Sequence, residues 1–227
     1  MKEQLKQIKD RIHNAAIDCG RNPETIRLVA VSKTVAMERV KEAIEAGVTI
    51  LGENYVQEAS EKIQRLSIYP VSWHFIGHLQ TNKAKYAVKL FDLIHSVDSL
   101  KVAQELDKQA KKNNKIQPIL IQVNVAEQVS KSGVSVGNAA KLINNMRPLT
   151  NLAVKGLMTM PPYFNAPEKV RPYFKTLREL RDQIKKEGLS YVSLDELSMG
   201  MTGDFEVAIQ EGATLVRIGT AIFGERN

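Results

Sequence analysis

The chain has 227 residues, 43% hydrophobic and 25% charged, with a formal net charge of +7. These proportions are those of a soluble globular protein, and the length fits one α/β barrel or two small domains. No apolar run reaches the 18 residues of a membrane span, residues 1–7 are polar where a secretory signal is apolar, and the lone Cys19 permits no intrachain disulfide.

Leu5, Ile8, Ile12, Ala15 and Cys19 recur at helical spacing, so residues 2–19 form an amphipathic helix that must lie on something else. Gly20 ends it, and Asn22-Pro23-Glu24 makes a turn. Strands are expected at 28–32, 48–52, 71–76, 93–97, 119–125, 152–158, 194–198 and 214–218. Helices alternate with them. Their apolar marks are Met37, Val40 and Ile44; Val56, Ala59, Ile63 and Leu66; Leu100, Ala103 and Leu106; and Val170, Phe174, Leu177 and Ile184. Thr81 is expected to cap a helix reaching Leu90, residues 138–145 form a weak helix, and 202–211 a short one. No strand pair is joined by a hairpin turn, so the sheet is parallel and built from right-handed βαβ units. Eight units in about 200 residues match a closed (β/α)8 barrel carrying one extra N-terminal helix. An open doubly wound sheet is the competing architecture, but no Gly-x-Gly-x-x-Gly follows any strand. No linker divides residues 1–227. Residues 126–137, including Lys131, are expected to form a mobile loop on the rim.

Polar residues collect near the strand ends: Ser32, Lys33, Asn54, His74, His95, Asn124, Ser198 and Arg217. In a barrel the C-terminal strand ends converge on one mouth. Leu28-Val29-Ala30-Val31-Ser32-Lys33-Thr34 reads as a buried strand delivering one amine there, although a single lysine at a strand end is commonly just solvated. Two glycine turns, Ser198-Met199-Gly200-Met201-Thr202-Gly203 and Arg217-Ile218-Gly219-Thr220, fall after the last two strands, where barrels bind phosphate. Closure would set the last strand beside the first, so an amine would face a phosphate cup. A phosphorylated aldehyde held as a Schiff base fits that pairing. Arg217 meets the ligand ring if it faces the lumen, and makes a surface ion pair if it faces outward. His74 and His78 have a zinc-like spacing, but Gly77 breaks any helix between them, so no metal is expected. The basic residues are spread over helix faces, as in Lys108, Lys111, Lys112 and Lys115. No nucleic-acid motif accompanies them, and no nucleic-acid partner is expected.

Ala30-Val31-Ser32-Lys33-Thr34, Gly52-Glu53-Asn54-Tyr55-Val56-Gln57-Glu58, Trp73-His74-Phe75-Ile76-Gly77-His78-Leu79-Gln80-Thr81-Asn82-Lys83, Lys131-Ser132-Gly133, Gly156-Leu157-Met158-Thr159-Met160, Leu197-Ser198-Met199-Gly200-Met201-Thr202-Gly203-Asp204 and Arg217-Ile218-Gly219-Thr220 together resemble the pyridoxal-phosphate homeostasis family (YggS/PROSC). The resemblance covers essentially the whole chain. It implies an alanine-racemase-like barrel with pyridoxal 5′-phosphate on Lys33. It places the phosphate on Ser198, Gly200, Gly219 and Thr220, Arg217 at the ring nitrogen, and Asn54, His74 and Met158 around the ring, with Met199 among the cofactor-binding residues. It implies a cytoplasmic carrier of the cofactor, delivering to apo-enzymes, rather than an enzyme. The chain ends three residues after Gly224, so the second, all-β domain of the racemases is expected to be absent, and a monomer is expected. An arginine at the ring nitrogen would keep the pyridine unprotonated and a poor electron sink. A weak amino-acid racemase and a cofactor-free Schiff-base lyase stay open as alternatives.

Overall fold

The computed structural model describes residues 1–128, 131–189 and 191–224. Nine strands are found among them: β1 (Arg27–Val31), β2 (Ile50–Glu53), β3 (Ser72–Phe75), β4 (Leu93–Val97), β5 (Gln117–Asn124), β6 (Val134–Ser135), β7 (Leu152–Met158), β8 (Val192–Ser198) and β9 (Leu215–Ile218). The described helices are α1 (Lys2–Asp18), α2 (Met37–Glu45), α3 (Val56–Arg65), α4 (Ala84–Leu90), α5 (Leu100–Lys112), α6 (Val136–Asn145), α7 (Arg171–Lys186), α8 (Phe205–Gln210) and α9 (Thr220–Phe223). All strand pairs are parallel. Eight strands close a ring, because β4 pairs with β5 and β1 pairs with β9. The open doubly wound sheet is therefore excluded.

The strands are buried on both faces, which is why they read as unbroken apolar runs rather than as alternating ones. Val29, Ile50, Leu93, Leu120, Met158 and Leu215 fill the lumen. Ala30, Leu51, Phe75, Ile94, Ile121, Leu197 and Ile218 face the helices. α1 lies against α8 and α9, with its amphipathic face buried and Arg11 paired to Glu206 at 2.5 Å.

Three details depart from the sequence reading. Thr81 opens a short 3-10 turn and makes no capping bond, and α4 begins only at Ala84. The four-residue α9 has no counterpart in the sequence reading, because so short a helix shows no periodicity. The described part of the 126–137 loop is bonded into the rim: β6 pairs with β5, Asn124 Nδ2 donates to Gln128 and Lys131 carbonyls, and Lys131 Nζ donates to Met160 O. Val129 and Ser130 lie outside the described residues.

β7 and β8 are held apart by almost nothing at one point. A Cβ on Gly156 would sit 1.9 Å from Glu196 O, in a stretch where the β7–β8 register is irregular. The obstacle is backbone, which cannot swing aside. Gly156→Ala is expected to cost about 3 kcal/mol, a fall of about 6–12 °C in melting temperature for a domain of this size. Differential scanning calorimetry reads it directly, and an unchanged transition would show that the wall yields there.

Candidate functional site

β1 ends at Val31, and the next three residues turn outward at the mouth. The turn is tied down by one buried ammonium. Lys62 Nζ, carried on α3, donates to Ser32 O at 2.6 Å, to Glu53 Oε1 at 2.8 Å and to Glu58 Oε1 at 2.6 Å. Its three protons are thereby used. Ser32 Oγ donates to the same Glu53 oxygen at 2.6 Å, and Thr34 N donates to Glu58 Oε1 at 2.6 Å. Thr34 holds a φ of +60°, a conformation a β-branched residue rarely adopts. Lys33 stands between the two anchored residues. Burial pushes the Glu53 carboxyl above its usual range, with Lys62 and Ser32 pulling it back. Glu53 Oε2 has no hydrogen-bond partner among the described residues.

A second polar system crosses the lumen. Arg217 is buried at 4% exposure and faces inward, which settles the alternative left open by strand alternation. Its guanidinium donates to Ser198 Oγ at 2.5 Å and to Thr159 O at 2.8 Å. Burial lowers its pKa to about 10. Among the described residues no carboxylate lies within ion-pair distance of it. Ser198 Oγ is 2.9 Å from His95 Nδ1, and His95 Nε2 is 3.0 Å from His74 Nδ1. Both imidazoles are buried. Desolvation, reinforced by Arg27, lowers His74 to about 4, and desolvation, then His74 and Arg217, holds His95 well below its ordinary value.

These depressed values carry a stability signature. Below about pH 6.5 the unfolded chain takes up protons that folded His74 refuses until about pH 4, so folding weakens as pH falls through that window. Between pH 7 and pH 5 the unfolding free energy of the parent should fall by about 2 kcal/mol more than that of His74→Gln. Urea titrations at the two pH values check this, and equal falls would refute it.

The structure distributes the expected site residues over three layers. Lys33, Asn54, Gly219 and Thr220 stand at the ends of their strands. Val29 is in register with Arg217, and a methyl at Gly219 would lie 3.4 Å from Val31 O, so the Lys33 turn and the Gly219 turn are neighbours. Asn54 lines a small cleft with Tyr55, His78 and Lys83. Met158 and Ser198 are cross-strand partners one layer down, Met158 among the apolar lumen residues. His74 lies deeper still, beside His95, and lines a cavity at the base of the barrel with Arg27, Ser72 and Asp92. Met199 faces the helices, and its amide donates to Leu215 O, so neither group points into the mouth. Gly200 has a φ of +91° and a Cβ there would meet Ala208 at 2.6 Å, so packing against α8 alone requires glycine. His95, Lys62 and Glu53 were not among the expected site residues. His95 carried a signal, being one of the polar residues that interrupt the apolar strands.

The family model for the alanine racemase N-terminal domain matches residues 4–227. The pyridoxal phosphate homeostasis protein of Aquifex aeolicus is 48% identical over 224 residues, covering 99% of this chain and 97% of that protein. This chain belongs to the pyridoxal phosphate homeostasis protein family. The family member of Escherichia coli K12 is 42% identical over 98% of this chain and 95% of its own. The structure of PipY from Synechococcus elongatus with pyridoxal phosphate bound superposes with a TM-score of 0.83 at 32% identity, covering 96% of this chain and all of PipY. Alanine racemase of Clostridium difficile, at 17% identity and a TM-score of 0.71, shares the fold, and the match covers 57% of that enzyme. The curated relatives are named homeostasis proteins rather than enzymes. No helix among the described residues is long and apolar enough to cross a membrane.

Proposed function

We propose that this chain holds pyridoxal 5′-phosphate through a Schiff base on Lys33 and serves as a cytoplasmic, monomeric carrier that delivers the cofactor to apo-enzymes. The observation that carries this is Arg217: a buried cation without a carboxylate partner among the described residues, in a layer directly beneath the junction of β1 and β9. A buried charge of that kind calls for a further acceptor, and an unprotonated ring nitrogen is one. The donor set around it, a guanidinium with the Ser198 hydroxyl and the chain turn at Gly219 and Thr220, fits a phosphorylated pyridine. The phosphate would rest on Ser198, Gly200, Gly219 and Thr220, with Asn54 and Met158 bounding the ring. His74 and Met199 would act from behind, through His95 and through the wall. When bound, the cofactor supplies an electron sink for amino-acid chemistry. The chain's own contribution is different: Lys33 anchors, the Lys62 cluster orients the Lys33 turn, and Arg217 withholds a proton from the ring nitrogen, because two cations in contact repel.

The test is an absorbance spectrum on adding the cofactor. A band near ~420 nm should appear, become permanent on one peptide after borohydride, and be missing in Lys33→Ala, because it reports a protonated Schiff base of that amine. A band that survives in Lys33→Ala would overturn the assignment. Recovery of activity by an added apo-enzyme distinguishes delivery from retention. Exchange of the α-proton of an amino acid at an enzymatic rate would favour a racemase instead.

A further inference from the structure

Between the anion seat and the base of the barrel runs a continuous hydrogen-bonded chain: Arg217 to Ser198 Oγ, Ser198 Oγ to His95 Nδ1, His95 Nε2 to His74 Nδ1. Its separations of 2.5, 2.9 and 3.0 Å leave room for one proton in each bond. His74 Nε2 makes no hydrogen bond to another described residue. His74 lines a basal cavity of about 360 Å³, together with Arg27, Ser72, Asp92 and Lys155. Burial disfavours the charged form of both rings, reinforced at His74 by Arg27 and at His95 by His74 and Arg217. A neutral imidazole carries one N–H and one bare nitrogen, so the direction of one bond in the chain dictates the direction of the next.

Only two arrangements satisfy every bond. In one, the Ser198 hydroxyl donates to His95, His95 Nε2–H donates to His74, and His74 presents Nε2–H to the basal cavity. In the other, His95 Nδ1–H donates to Ser198, His74 Nδ1–H donates to His95, and His74 presents a bare Nε2. Arg217 donates to Ser198 in both. A fully ionised phosphate at the mouth accepts hydrogen bonds and gives none, so it selects the second arrangement by claiming the Ser198 hydroxyl proton. Had His95 kept its bare Nδ1, two lone pairs would face each other at 2.9 Å.

We propose that His95 and His74 are positioning residues of the anion seat, whose shared hydrogen-bond direction aims the Ser198 hydroxyl and reports occupancy of the mouth as a change of tautomer at the base of the barrel. This rests on the phosphate seat proposed above. Protons balance along the way. A proton passing from the P–OH of a phosphate monoanion to Ser198 Oγ sends that oxygen's own proton to His95 Nδ1. His95 releases Nε2–H to His74 Nδ1, and His74 releases Nε2–H to water in the basal cavity. The ester is left as a dianion accepting from Ser198.

The test uses the full chain with 15N-labelled histidine. Long-range 1H–15N spectra report which nitrogen of each of the four histidines is protonated. Single His74→Gln and His95→Gln variants assign the signals. On titration with pyridoxal 5′-phosphate, His74 and His95 should both move to the Nδ1–H form. Ser198→Ala should weaken cofactor binding, and once enough cofactor is added to saturate the Schiff-base band the rings should stay as they were. Rings that do not change when the band appears, or that change equally in Ser198→Ala, overturn the relay and leave the cofactor reading standing. Inorganic phosphate separates the two ideas: a ring response to it without any visible band on adding the cofactor keeps the relay and sinks the Schiff base. Absence of a ring response to either anion overturns the relay.

Discussion

Lys62→Met is expected to lower the melting temperature by roughly 10 °C and to weaken Schiff-base formation at Lys33 beyond what the loss of stability explains. The side chain removed has nearly the same length and volume, so packing is preserved. What disappears is the cation shared by Glu53, Glu58 and the Ser32 carbonyl. Glu53 is fully buried, and its second oxygen has no partner among the described residues. Stripping one member from a buried ion pair costs about 3–5 kcal/mol, because the other charge is left without compensation, and each kcal/mol is worth about 2–4 °C here. Glu53 will respond by taking a proton, which its raised pKa already favours. The double variant Lys62→Met with Glu53→Gln should therefore recover much of the stability. It should not recover the Lys33 turn, since the Ser32 carbonyl and Glu58 still lack the ammonium that ties them together. Thermal melts and the rate of appearance of the ~420 nm band, followed side by side, separate the two effects. A double variant that regains stability and Schiff-base formation together would reduce Lys62 to a purely structural residue.

The barrel was legible in the sequence because its strands are buried on both faces and its helices on one. Unbroken runs such as Ile119-Leu120-Ile121 and the 3.6-residue spacing of Phe174, Leu177 and Ile184 are direct imprints of that layering. Lys33 and Arg217 were visible as polar residues interrupting apolar strands. Their proximity followed from counting eight units and requiring closure. What lay hidden was every contact that depends on which face a side chain takes at a strand end. Period-2 alternation would have sent Met199 outward once Ser198 was placed inward, yet the glycine turn that follows suggested a phosphate loop and drew Met199 into the set. His74 and His95 both read as mouth residues, but the structure bonds His74 to His95 and sets it on the cavity at the base of the barrel. Lys62 was not singled out in the sequence. Its position beside the apolar stripe of Ala59 and Leu66, four residues after Glu58, was the available hint, and only the fold shows that the helix edge there faces two further acceptors.

Arg217→Met should have the opposite balance of effects from Lys62→Met, and the contrast tests why each cation is buried. Both side chains are shut away from water, so both carry a desolvation cost. Lys62 offsets it against two carboxylates. Arg217 offers its hydrogens only to neutral groups, the Ser198 hydroxyl and the Thr159 carbonyl, and its lowered pKa is the mark of an incompletely compensated charge. Removing it breaks no hydrogen-bonded ion pair among the described residues, and Asp204 loses only a longer-range attraction. The unpaired Thr159 carbonyl costs about 1–3 kcal/mol, and relief from burying a guanidinium returns a comparable amount. The ligand-free melting temperature should stay within about 3 °C of the parent. Cofactor binding should not survive so well: losing a charge-assisted contact in a dry site is worth about 2.8 kcal/mol, a 100-fold weaker Kd. Ser198 keeps its bond to His95 in this variant, so a seat of reduced affinity should persist rather than vanish. Calorimetry of the ligand-free protein and fluorescence titration with pyridoxal 5′-phosphate decide the matter. A large drop in melting temperature with unchanged affinity would mean that Arg217 braces the barrel and does not contact the cofactor.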